Sequence, residues 1–281
     1  MRWVPGAGPV VVQPLASGLV NDSCRVARAG RLYSMRVATA NSQDLGLDRE
    51  WECKVLSHAA AAGLAPTIER CEPAQGVLVA DWVSGRTWTL EEIRLPDRIH
   101  AMAGLLRRVH ALPIPQPARV MTPAAWVALY AAALTRGLEE PSRSAGLRSA
   151  ADARLAVLAA SRLPHPVLCH SDLHRLNVTV GPNLLLLDWE YAHVSDPYWD
   201  LAGWIANNDG TQHFAEVLLA DYLQRPAEPA ESARLGQLMW LYDYICLLWS
   251  ELYLNQRSGA ASDGVSARAE QLALRLSSHV R

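Results

Sequence analysis

The chain has 281 residues, half of them hydrophobic, with 26 basic and 28 acidic side chains and a formal net charge of −2. That balance excludes a disordered chain and a general electrostatic affinity for nucleic acid or anionic membranes, and it leaves room for one large or two modest domains. Lys54 is the only lysine, so no lysine-dependent site can exist elsewhere.

The five cysteines (Cys24, Cys53, Cys71, Cys169, Cys246) are odd in number, widely spaced and free of any C-x-x-C. Neither a disulfide framework nor a zinc site is expected, and a reducing cytosol is the simplest setting. The opening M-R-W-V-P-G-A-G-P lacks the apolar core of a signal peptide. No charge-free apolar run approaches the roughly 18 residues of a membrane span.

In chain order, Pro9 to about Ala29 reads as strand, turn, strand. Ser17, Gly18 and Asn21 form a polar turn whose backbone N–H groups could lie over phosphates, although most such turns are ordinary hairpins. No G-x-x-x-x-G-K-[ST] occurs, so this is not a P-loop. Arg31–Ala38 reads as a third strand with Arg36 in its middle. An arginine among apolar neighbours must be solvated or partnered. Asp48 is the expected N-cap of a helix over Arg49–Ala62, stopped by Gly63. Its apolar stripe is Trp51, Val55, Ala59 and Ala62. Glu52 points to the core side of that helix and Glu50 away from it, so Glu52 is the expected partner of Arg36.

Two more strands are expected at Thr67–Cys71 and Gly76–Val83. A first lobe is expected to end at residue 83, with Asp81, Trp82 and Val83 as a connector offering backbone hydrogen bonds to a base. Residues 84–281 form the second lobe, and from there the pattern is helical. Asp97–Leu112 carries Ile99, Met102, Leu105, Leu106 and Val109 at helical spacing. Further helices are expected over Pro123–Leu138, Leu147–Ser161, Leu201–Asn207, His213–Leu223, Ala230–Asn255 and Ser266–Ser278.

Between these helices lies V-L-C-H-S-D-L-H-R-L-N-V-T-V-G-P-N-L-L-L-L-D-W-E-Y-A, from Val167 to Ala192. Val167–Cys169 and Leu184–Leu187 read as buried strands, too short and too tightly bounded for helices. The Gly181-Pro182-Asn183 turn is expected to fold the second back beside the first. Asp172, Asn177 and Asp188 then converge at one mouth. They are hard oxygen donors of the kind Mg²⁺ prefers. Phosphoryl transfer needs mostly positioning and charge neutralisation, which this set can supply. Singly, each residue has an ordinary reading as a turn former or capping group; the ordered set does not. A metallohydrolase using His170, Asp172, His174 and Asp188 is the rival, but it leaves the N-terminal pattern unexplained.

These motifs resemble the choline kinase, thiamine kinase and aminoglycoside phosphotransferase superfamily. The resemblance runs in order through L-A-S-G-L-V-N, S-M-R-V, D-R-E-W-E, V-L-V-A-D-W-V-S-G-R, C-H-S-D-L-H-R-L-N, L-L-D-W-E-Y-A and D-P-Y-W-D-L-A, from about residue 14 to 203. It implies an α+β, two-lobed, protein-kinase-like fold with a small antiparallel N-lobe, a helical C-lobe and MgATP in the cleft. It further implies that Asp172 is the catalytic base and that Asn177 and Asp188 are the Mg²⁺ ligands. Arg36 would contact ATP phosphates, held by Glu52, with Glu190 beside the metal. His170 and Asp200 would shape and brace the catalytic loop. Choline-type members commonly carry Arg where protein kinases carry Lys, which favours that branch. The Ser17–Asn21 turn departs from the usual double glycine.

The acceptor is then a small-molecule alcohol. Met239–Tyr253 is aromatic and contains Asp243 and Glu251, which suits a cation such as choline, ethanolamine or thiamine. Tyr242, Ile245 or Cys246, Trp249 and Tyr253 read as a core stripe, leaving Trp204, Trp240 and Asp243 as pocket candidates. An aminoglycoside or sugar acceptor is the alternative, and a non-catalytic nucleotide-binding pseudokinase is the alternative of another class.

Overall fold

The computed structural model describes residues 3–15, 18–39, 45–136, 142–161, 164–181, 183–256 and 260–278. Five strands form one antiparallel sheet: β1 (Val10–Pro14), β2 (Asn21–Arg28), β3 (Arg31–Ala38), β4 (Ile68–Glu72) and β5 (Val77–Asp81), in the order β1-β2-β3-β5-β4. The α-helix between β3 and β4, α1 (Arg49–Ala61), starts where expected: the Asp48 carboxylate accepts from Trp51 N at 2.9 Å. One face of the sheet buries Val26, Tyr33, Met35, Val77 and Val79 in a small core with Val4. Alternation along β3 puts Tyr33 and Met35 into that core and leaves Ser34 and Arg36 on the opposite face.

The remainder is mainly helical: α2 (Pro96–His110), α3 (Pro123–Thr135), α4 (Arg148–Ala160), α5 (Tyr198–Asn207), α6 (Ala215–Leu223), α7 (Pro229–Gln256) and α8 (Ala260–Ser278). A two-stranded ribbon, β6 (Val167–Cys169) and β7 (His193–Ser195), crosses it. The long α7 packs against α3, α4, α5 and α8. A second, larger core fills this body and takes in the apolar stripe of α1 through Trp51, Val55, Leu56 and Ala59. Thus α1 belongs to both parts, and its polar side is held against the cleft between them. No helix among the described residues is long and apolar enough to cross a membrane.

Two sequence expectations need correction. Leu184–Leu187 does not pair with β6; the partner of β6 is β7. Leu184–Leu187 instead folds back on the segment just before its turn. Thr179 N donates to Leu185 O, Leu187 N to Asn177 O, and Val178 bridges Leu186. A short loop closes the nearest hairpin at the lowest entropic cost, and that hairpin is local. The second correction concerns cysteine. Cys53 of α1 and Cys71 of β4 are disulfide-bonded, with Cα atoms 5.8 Å apart. A sequence separation of 18 hides a contact that only the packing of α1 beside β4 creates.

Candidate active site

The loop after β6 is held from below by one carboxylate. Asp200, on the first turn of α5, accepts from His170 N at 2.8 Å and from Ser171 N at 2.7 Å. His110 Nε2 lies 3.1 Å from the same carboxylate. Burial disfavours the Asp200 charge, yet His110 and His170 with these hydrogen bonds outweigh it and hold the carboxyl below its ordinary range. Ser171 sits in the left-handed region at φ +70°, a conformation that costs a non-glycine residue. Two further contacts fix it: Tyr242 Oη donates to Ser171 O at 3.0 Å and Ser171 Oγ meets His193 Nδ1 at 3.0 Å, while Asn207 Nδ2 donates to Tyr242 Oη at 2.9 Å.

This strained turn presents Asp172 to the cleft with its side chain 29 % exposed. Asp172 N donates to His170 Nδ1 at 3.3 Å, and His170 Nε2 donates to Leu187 O at 2.9 Å. Those two partners fix the tautomer, and burial pushes the His170 pKa down, so the imidazole is a neutral spacer between the two loops. Asn177 Nδ2 donates to Asp172 O at 2.9 Å, which turns the amide oxygen away from the loop backbone. His170 is bonded at both nitrogens, so neither is open to a metal beside Asp188, and His174 joins no cluster of metal-binding side chains among the described residues.

Across the cleft, Arg36 pairs with Glu52, as the helix phase requires, and donates to Asp188 Oδ1 at 2.7 Å. Burial works against the Arg36 charge, but Glu52, Asp188 and Glu190 outweigh it and raise its pKa. A second guanidinium went unrecognised in the sequence. Arg49 Nη1 donates to Glu52 at 2.9 Å and to Glu190 at 2.7 Å, and its Nη2 donates to Asn21 Oδ1 at 3.0 Å. The available signal was its spacing three residues before Glu52 on a helix. Asp188, at φ +62°, has its pKa pushed up to about 8 by burial and by the neighbouring Glu190, against the pull of Arg36. Asp188, Glu190 and Glu52 thus share two guanidiniums, and Asp172 adds its charge beside Asp188. The all-oxygen set of Asp188 and Asn177, linked by the Leu187 N to Asn177 O bond, fits a hard divalent cation.

The cleft encloses about 830 Å³. Gly18, Asn21, Arg36 and Asp188 wall one end, and Trp126, Tyr130, Tyr191, Tyr242, Cys246 and Trp249 wall the other, with Asp172 and Glu190 between. The proposed pocket residues Trp204, Trp240 and Asp243 do not reach it. Trp204 is buried edge-on to Trp88, Trp240 stacks on Tyr244 beneath Arg154, and Asp243 pairs with Arg275. The residues read as core stripe, Tyr242, Ile245, Cys246 and Trp249, form the wall instead. Helical spacing identifies the inward face of α7 but cannot tell a solid core from a core with a cavity in it.

At the connector two of the three backbone amides are already taken. Asp81 N donates to Thr67 O and Trp82 N to Leu32 O, so neither amide is open to a base. The Asp81 carboxylate accepts from Arg31 at 2.8 Å, and Arg25 lies 5.4 Å from the Trp82 ring centre. Val83 follows with no backbone hydrogen bond among the described residues. Ser17 lies outside the described residues; Gly18 N donates to Asn21 O at 3.1 Å, closing the turn.

A small antiparallel sheet over a helical body, with a carboxylate loop and a D-x-E loop meeting an Arg–Glu pair in the cleft, is a protein-kinase-like arrangement. The chain belongs to the phosphotransferase enzyme family (APH), whose profile matches residues 11–235. It is similar in structure to a choline/ethanolamine kinase family protein from Mesorhizobium loti, at 26% identity and TM-score 0.77 over 96% of this chain and 87% of that one. Choline kinase LicA from Streptococcus pneumoniae aligns at 22% identity and TM-score 0.77 over 94% of each chain, and is also solved in complex with AMP. A putative aminoglycoside phosphotransferase from Ralstonia eutropha JMP134 aligns at 15% identity and TM-score 0.61 over 97% of this chain and 92% of that one. The last two likenesses are of fold. No curated protein sequence matches the chain. The protein is a small-molecule kinase, a phosphotransferase acting on a hydroxyl group.

Proposed function

We propose that the protein transfers the γ-phosphoryl group of ATP to the hydroxyl of a small amino alcohol bearing a quaternary ammonium, of the choline type. The observation that carries this reading is the aromatic wall beside Asp172. Trp126, Tyr130, Tyr191 and Trp249 face one end of the cleft, and Trp249 Nε1 donates to Tyr191 Oη at 2.8 Å. Aromatic faces attract a cation that has no N–H to donate. Acidic groups on the cleft wall are few, namely Asp172, Asp188, Glu190 and Asp209. A polyamino sugar would want several more hydrogen-bonding carboxylates.

In this reading Asp172 orients the acceptor hydroxyl and takes its proton. Asn177 and Asp188 hold Mg²⁺, which when bound supplies the positive charge that phosphate oxygens need. Arg36 exchanges its bond to Asp188 for nucleotide phosphates while Glu52 keeps it aimed. The N–H groups around Gly18 close over the same phosphates. Two structural relatives, a choline/ethanolamine kinase family protein and a choline kinase solved with AMP, support both the acceptor class and the nucleotide. The test is ADP release with ATP, Mg²⁺ and a panel of choline, ethanolamine, thiamine, amino sugars and aminoglycosides. Choline should give the highest kcat/KM. Turnover confined to amino sugars or aminoglycosides would overturn the reading.

A further inference from the structure

Glu190 stands two residues after Asp188, and an acid at that place is within reach of a second metal-binding role. The geometry points elsewhere: we propose that Glu190 acts as a latch through Arg49 and Asn21, and that Arg49 is a positioning residue for nucleotide binding. The inference rests on the ATP and Mg²⁺ reading above.

Three side chains close a ring of hydrogen bonds. Glu190 Oε2 accepts from Arg49 Nη1 at 2.7 Å and from Asn21 Nδ2 at 2.8 Å, and Arg49 Nη2 donates to Asn21 Oδ1 at 3.0 Å. All three are largely buried: the Glu190 and Arg49 side chains are 5% and 11% exposed, and Asn21 is 6% exposed. The three come from three different segments. Asn21 opens β2 directly after the Gly18 turn, Arg49 opens α1, and Glu190 belongs to the loop that carries Asp188. The ring therefore ties the turn that would cover phosphates to the loop that would hold the metal. Arg49 also reaches Glu52 at 2.9 Å, so it aligns the partner of Arg36 in the same step. Arg36 itself stays 3.7 Å from Glu190, leaving that carboxylate to Arg49. Oε2 already accepts two short bonds from buried donors and is a poor metal ligand, because coordination would strand both; a ligand role would fall to Oε1 alone and would show in the Mg²⁺ dependence. A planar guanidinium with parallel donors is needed to span Asn21, Glu52 and Glu190 at once; a lysine could not.

The test is calorimetric titration of the full chain with a non-hydrolysable ATP analogue across a series of Mg²⁺ concentrations, for wild type, E190Q, R49Q and the double variant. E190Q and R49Q should each weaken the analogue about ten- to hundredfold, equivalent to one charge-assisted hydrogen bond. The Mg²⁺ concentration giving half-maximal binding should not move in either, and the double variant should be no weaker than the worse single variant. R49K keeps the charge but not the fork and should fall between wild type and R49Q. If R49Q does not fold, N21A and R49K take its place with the same expected pattern. A raised Mg²⁺ half-point in E190Q alone, with effects that add to those of Arg49, would overturn the latch and make Glu190 a metal ligand. A wild type that binds no nucleotide would instead overturn the proposed function, so the two failures are distinct.

Discussion

Replacing Asp200 with asparagine isolates the brace beneath the catalytic loop. The carboxylate serves His170 N and Ser171 N with separate oxygens at 2.8 and 2.7 Å and also meets His110. Asparagine keeps one oxygen and turns an NH₂ toward the other backbone N–H, donor against donor. One charged hydrogen bond is lost, about 1.5–3 kcal/mol, and a buried donor is left unsatisfied. With the attraction to His110 removed as well, the total reaches about 3–5 kcal/mol, the range for breaking a buried charged contact. In a chain of this size that lowers Tm by roughly 10 °C. The larger effect should be on rate. Ser171 is in a left-handed conformation that only its contacts maintain, and release of that turn moves Asp172. A displacement of about 1 Å at a reacting group costs about a hundredfold. The assay is steady-state phosphotransfer at a temperature where the variant is folded by circular dichroism, with kcat and both KM values resolved. The reasoning predicts a kcat loss of about a hundredfold with the KM for nucleotide within about threefold. A folded D200N variant with near-normal kcat would refute it and reduce Asp200 to a fold-stabilising group.

Other expectations follow from the same geometry. Y242F removes the donor to Ser171 O and should lower kcat about tenfold with little change in the nucleotide KM, measured in the same assay. G203A should disturb the same ring, because a Cβ there would lie 2.8 Å from Tyr242 Cε2; the check is an acceptor KM that rises while nucleotide binding holds. Burial pushes the His193 pKa down to about 4 from 6.5, so the unfolded chain binds a proton first as pH falls. That group's contribution is complete above pH 6.5 and is lost between there and about 4, worth roughly 3 kcal/mol; urea melts of H193N should show a shallower loss over that window. Reduction, or the paired C53S and C71S changes, should destabilise the chain by about 3 kcal/mol through the loop that the Cys53–Cys71 bond closes, read as a lower urea midpoint.

What the sequence made legible was local and ordered. The phase of α1 chose Glu52 over Glu50, and the structure pairs Glu52 with Arg36. Strand alternation put Arg36 on the cleft face of β3. The spacing of His170, Asp172 and Asn177 is that of one loop folded on itself, and Asn177 indeed bonds back to Asp172. Illegible were contacts that depend on which segments lie side by side. Cys53 and Cys71, and Arg49, Asn21 and Glu190, are partners made by packing, and no period in the sequence marks them. The pairing of β6 failed for a related reason: Val167–Cys169 was matched with the next apolar run, whereas the run after that supplies its partner.

The proposed acceptor wall is the instructive failure, because its α7 residues read in the sequence as a core stripe. Tyr242, Cys246 and Trp249 do stand on the inward face of α7. A cavity lies in front of them, lined also by Trp126, Tyr130 and Tyr191. The strained Ser171 turn sends Asp172 into that space while its backbone is held back by Asp200 and Tyr242. The hydroxyl of Tyr242 is thus fixed to the catalytic loop while its ring borders the space the acceptor would fill. A molecule that fits the aromatic end must press on a ring bonded to the residue before Asp172, the proposed base. Acceptor shape and base position are therefore linked through one side chain. Substitutions at Ser171 or Gly203, neither of which offers a cation anything, would then change which alcohols are phosphorylated.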